Sequence, residues 1–170
     1  MKTRGLFTFD PPTFFHSPVL HNTRARGWLE MRKRETERIK RALEYVKRRL
    51  RLDMEFVVSP APEGEHAILI DITRSYRGTE DRKVWLVTFN LQLVARETTA
   101  ALRRHAFHEV LHALTWPLYD EIEAAIRRVP DPGIRRELTE RSIDARENVV
   151  YELERKIGPL AFPHLPWTDP

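Results

Sequence analysis

Ile39, Leu43, Val46 and Leu50 recur at intervals of four, three and four, which places all of them on one side of an α-helix. The pattern predicts a long helix from a cap at Asn22 or Thr23 to about Leu50, with basic side chains on its other faces. Three strand-like runs follow. The first is Met54–Ser59; the second is Ala67–Thr73, where Ile68, Ile70 and Ile72 alternate; the third is Val84–Val94, rich in β-branched and aromatic residues. Pro60–Gly64 and the polar stretch Tyr76–Asp81 read as the connections. A helix is then expected from about Glu97 to Trp116, stopped by Pro117. A short helix over Tyr119–Arg128 comes next, followed by the breakers Val129-Pro130-Asp131-Pro132-Gly133. A last long helix runs from about Ile134 to Ile157 and is closed by Gly158-Pro159. Residues 1–21, rich in Phe and Pro and lacking either period, read as an extended arm on the domain surface. The Pro-rich tail 159–170 reads as irregular. Helix, three strands and three helices make an α+β chain, expected to form a single domain over residues 1–170.

Composition narrows the classes. A chain of 170 residues, 41% of them hydrophobic, can build one domain with a real core. No apolar run approaches the roughly 18 residues a membrane span needs. The first residues, Met1-Lys2-Thr3-Arg4, lead into no long apolar stretch, so no signal peptide is expected and the cytoplasm is the default location. The absence of Cys excludes disulfides and thiolate ligands, so any metal must be held by His and carboxylate. The net charge of +4 is local in origin: residues 24–51 carry 12 Lys/Arg against 4 Glu. That surplus could contact phosphates, which makes a nucleic-acid-associated protein a rival reading. A solvated amphipathic helix accounts for the same charges.

The sharpest chemistry lies in His108-Glu109-Val110-Leu111-His112, an HExxH motif. With 3.6 residues per turn, His108 and His112 stand one above the other on one helix face. Two imidazoles so placed can hold one Zn²⁺, and Glu109 can reach a water on it. Ala106, Phe107, Val110, Leu111, Ala113 and Leu114 would bury this helix, and buried ionisable groups need a partner such as a metal. A catalytic zinc usually has a third protein ligand. In the longer HExxHxxGxxH pattern it is a His, but Thr115 and Leu118 occupy those positions here. An acidic residue on a later helix remains. Glu147, beside Ile143 and Val150 at the border of an apolar strip, is favoured; Glu152, among Leu138, Ala145 and Val149, competes, with Glu154 and Asp144 nearby. His105, one turn before His108, could serve as a partner to the ligands, a transition-state donor or a surplus ligand. Tyr151, one turn after Glu147, could stabilise an oxyanion.

The motif, following a strand rich in apolar residues, resembles the zincin metallopeptidases. The segment Ala145-Arg146-Glu147-Asn148-Val149-Val150-Tyr151-Glu152-Leu153 is similar to the glutamate-bearing helix of small gluzincins, to the ligand helix of ImmA/IrrE-type peptidases and to HExxH proteins encoded by phages. The resemblance covers about residues 84–157. It implies a zincin-like fold with a long N-terminal helix, a three-stranded, mainly antiparallel sheet, an HExxH helix and a C-terminal ligand helix. It also implies zinc-dependent hydrolysis of a peptide or protein substrate, with His108, His112 and Glu147 as ligands and Glu109 as base. The third strand would then lie along the cleft and offer a free edge to an extended substrate. The Phe-rich arm or the Pro-rich tail could fill that cleft and keep the enzyme latent. An inactive zincin scaffold used only for binding is the further alternative.

Overall fold

The computed structural model describes residues 18–61, 70–75 and 84–167. They form α1 (Pro18–Leu50), β1 (Glu55–Pro60), β2 (Ile70–Ser75), β3 (Val84–Phe89), α2 (Leu91–Arg96), α3 (Thr99–Arg127) and α4 (Pro132–Ala161). The arm up to residue 17 and the expected strand residue Ile68 lie outside the described residues. Ile39, Leu43 and Val46 are buried, and Leu50 packs at the edge of the same cluster, so the apolar stripe of α1 is one wall of the core. The helix begins at Pro18, ahead of the expected cap at Asn22 or Thr23. Proline suits a first turn, where its missing N–H has no partner to lose. Arg51, with φ 55°, closes the other end: its N–H reaches the Arg48 carbonyl at 3.3 Å, and the Leu52 N–H reaches that of Lys47 at 3.0 Å. This nested pair satisfies two terminal carbonyls.

β3 is the central strand of the sheet β1-β3-β2. It runs parallel to β1, from Glu55↔Val84 to Pro60↔Phe89, and antiparallel to β2, from Ile70↔Phe89 to Ser75↔Val84. The sheet is therefore mixed, not mainly antiparallel, because the third strand inserts between its predecessors. With both sides paired, β3 has no free edge, which corrects the expectation that it would receive a substrate. β2 holds an outer place, with β3 its one neighbour among the described residues. Trp85, Val87 and Phe89 of β3 and Ile70 and Ile72 of β2 turn the same face to the core. That face is covered by α1 and by the buried side of α3, which includes Leu102, Ala106, Phe107 and Val110.

Helix boundaries differ from the expected ones for identifiable reasons. The third strand stops at Phe89 rather than Val94 because the Asn90 side chain accepts from the N–H groups of Gln92 and Leu93 and starts α2. Thr98 caps α3 in the same way, through Ala101. α3 then passes through Pro117, so the two helices expected on either side of it are one. Proline removes the N–H that would bond the Ala113 carbonyl. Packing of α3 along α4, with Tyr119 buried beyond the proline, supports the helix across this gap in its hydrogen bonds. Asp131 accepts from Gly133 and Ile134 and puts Pro132 at the first position of α4, so this helix starts inside the expected loop.

α4 also runs past Gly158-Pro159 to Ala161. Gly158 is not a terminator here; the Trp167 ring lies on it, and a Cβ at that position would sit 2.5 Å from two ring carbons. The tail beyond α4 is irregular but packed. Phe162 and Leu165 are buried, and the Trp167 indole N–H donates to the Phe162 carbonyl at 2.9 Å. Gly158→Ala is expected to destabilise the fold by about 1–3 kcal/mol through overpacking. Denaturant unfolding checks this; unchanged stability would mean that Trp167 does not sit there.

Part of the basic surplus of α1 is spent inside the molecule. Buried Glu35 takes Arg34 at 2.7 Å and Arg38 at 2.6 Å, and Arg38 also donates to the carbonyls of Val94 and Glu97 at the end of α2. Arg49 donates to the last carbonyl of α4, that of Ala161, at 2.6 Å. Among the described residues, no helix is long and apolar enough to cross a membrane.

Candidate metal centre

α3 places His108 and His112 one turn apart, and their Nε2 atoms stand 3.1 Å from each other. α4, packed alongside, brings Glu147 Oε2 to 3.4 Å from His112 Nε2 and 3.9 Å from His108 Nε2. Two ligands at about 2.1 Å from a tetrahedral zinc lie about 3.4 Å apart, and the three separations bracket that value. His108, His112 and Glu147 could therefore hold one metal ion. Glu152 faces solvent, paired with Arg155 at 2.9 Å and Lys156 at 3.7 Å, and does not reach the cluster.

Comparisons with protein-family models, with curated proteins and with solved structures find no match for this chain.

The geometry behind the imidazoles explains their orientation. His108 Nδ1 meets Glu154 Oε2 at 2.8 Å, while the other oxygen of Glu154 accepts from Arg104 Nε at 2.7 Å. A carboxylate at Nδ1 keeps the proton there and leaves the Nε2 lone pair facing the cluster. Glu154 is only 5% exposed. Burial pushes its carboxyl up, but the hydrogen bonds from His108 and Arg104 outweigh burial and hold it below the ordinary value. For His108, burial acts to lower the pKa; the hydrogen bond to Glu154 and the charges of Glu109 and Glu147 reverse it, and the net direction is upward. Burial, helped by the positive charges of His108 and Arg146, pushes His112 down to about 4. It is thus neutral at pH 7, the form a metal ligand needs. Arg146 Nε donates to His112 Nδ1 at 3.1 Å. That contact places the His112 proton on Nε2, so a metal held there requires the proton to move to Nδ1 and the hydrogen bond from Arg146 to be given up.

Glu109 lines a cleft of about 750 Å³ in front of the cluster, together with Ile70, Asp71 and Ile72 of β2. Burial raises its pKa to about 7; Asp71 and Glu147 push the same way, and His108 and Arg146 oppose them. The folded value therefore lies above the unfolded one, near 4.5. The stability Glu109 contributes is full below about 4.5 and is lost as pH rises through about 7. Thermal unfolding of chelator-treated protein should accordingly show Glu109→Gln gaining on wild type between pH 5 and pH 8. A constant difference across that range would refute the raised value.

His105 and Tyr151 line the same cleft. His105 is exposed at the rim. Tyr151 is 57% exposed and lays its ring against His108, with centroids 5.0 Å apart. Pro166 of the tail also borders the cleft. Asp71, Arg104 and Arg146 were not singled out from the sequence as site residues. Asp71 is the one acidic residue in its isoleucine-rich strand, Arg104 lies one turn before His108, and Glu154 lies two turns after Glu147. Those spacings were available as signals; Arg146 had none beyond adjacency to Glu147.

Proposed function

We propose that the chain is a zinc-dependent peptidase of the zincin kind, with the metal held by His108, His112 and Glu147. The observation that carries this reading is the approach of Glu147, from a separate helix, to the two imidazole nitrogens of the HExxH turn. Bound there, Zn²⁺ supplies Lewis acidity, bringing the pKa of its water to about 7 and polarising a carbonyl. The remaining work belongs to the chain. Glu109, which lines the cleft beside that position, takes the water proton and returns it to the leaving amine. Glu154 and Arg104 keep the proton of His108 on Nδ1. The Tyr151 hydroxyl has no hydrogen-bond partner among the described residues, so it is available to a substrate carbonyl. His105 meets whatever enters at the rim. Since β3 is paired on both sides, strand addition by an extended substrate falls to β2, whose Ile70–Ile72 segment borders the cleft.

The test is elemental analysis for one zinc per chain, together with hydrolysis of a mixed peptide pool that a chelator abolishes and zinc restores. Zinc without turnover would leave the scaffold reading standing and sink the peptidase one.

A further inference from the structure

Arg146 carries a positive charge that the hydrolytic mechanism does not use. Its side chain is half-buried and lines the cleft. The guanidinium carbon lies over two aromatic rings, 4.6 Å from the centroid of Trp116 and 5.5 Å from that of Tyr119, which hold it in place. Its single hydrogen bond among the described residues runs from Nε to His112 Nδ1. No carboxylate lies within ion-pair distance of it among those residues, whereas Arg104, in the same cleft, is tied to Glu154. With a metal on His112 Nε2 that hydrogen bond is given up, and the two aromatic rings keep the guanidinium beside His112, its N–H groups without an acceptor among the described residues. A half-buried guanidinium in that state is a fork suited to a carboxylate.

Its position selects what it can bind. The His112 ring stands between the guanidinium, on the Nδ1 side, and the ligand atoms, on the Nε2 side. Arg146 is therefore displaced from the reacting carbonyl by the width of an imidazole and reaches a group flanking the scissile bond. We propose that Arg146 is a specificity-determining residue that anchors a substrate carboxylate beside the metal centre. The carboxylate belongs either to the C-terminus of a peptide or to an internal acidic side chain. The inference deepens the peptidase reading and rests on the same cleft.

The Glu109→Gln protein, which keeps the cleft and does not turn substrate over, is titrated with three fluorescein-labelled forms of one apolar heptapeptide. One has a free C-terminal carboxylate, one is amidated, and one is amidated with an internal Glu moved through the sequence. Anisotropy should show one carboxylate-bearing form binding on the order of tenfold tighter than the plain amide, the free terminus or the internal Glu according to the source. Adding Arg146→Met should erase the preference. Arg146→Gln, which keeps a polar side chain, should do the same, and serves if the Met variant does not fold. Equal binding of the three forms, no binding of any, or a preference that survives both substitutions overturns the proposal. Carboxylate preference in Glu109→Gln with no cleavage of any form by the wild-type protein would instead overturn the peptidase reading and leave the anchor in place.

Discussion

Glu109→Gln is expected to retain zinc and to lose peptide hydrolysis by about 10²–10⁴-fold. The exchange preserves shape and removes the group that accepts a proton. Its effect on the ligands should be small, because the two imidazoles and Glu147 do not depend on Glu109 for orientation; Glu154 holds His108 from behind. Elemental analysis and a progress curve on one quenched peptide measure both halves of the expectation. Cleavage at the wild-type rate would remove Glu109 from the mechanism. Loss of zinc together with loss of activity would make it a structural residue.

His112→Ala should weaken zinc binding on the order of 10³-fold, as expected when one of three protein ligands is lost from a site of this kind. His112 is nearly enclosed, at 5% exposure, and its Nε2 is the atom nearest both other ligand atoms. Without it, Glu147 Oε2 and His108 Nε2 stand 3.9 Å apart with no third nitrogen to complete the cluster. The substitution also takes away the one hydrogen-bond acceptor of Arg146 among the described residues and sets a guanidinium facing the vacated volume, which further disfavours a cation. Competition with a chromogenic chelator gives the affinity directly. Zinc held by the variant as tightly as by wild type would mean the metal is bound elsewhere.

The local rules of the chain were readable where one interaction decided the outcome. Ile39, Leu43 and Val46 are buried in α1 as their spacing demands, and Ile70 and Ile72 face the core as their alternation demands. Local signals mislead where two of them compete. Leu91–Val94 is apolar enough for a strand, but the Asn90 cap made it a helix. Pro117 and Gly158-Pro159 are breakers in isolation, yet each lies inside a helix packed by its neighbours: α4 against α3 in one case, and the Trp167 ring against Gly158 in the other.

By itself the amino-acid order determined the helical turn that aligns His108 with His112, because a contact between residues four apart is a property of the helix alone. It also put Glu147 on the border of an apolar strip. Only the tertiary structure chose Glu147 over Glu152, placed Glu154 and Arg104 behind His108, and gave the cleft to β2 rather than β3. Each of those outcomes depends on how helices and strands distant in sequence lie against one another. That arrangement is set by packing summed over the whole core, and no local period encodes it.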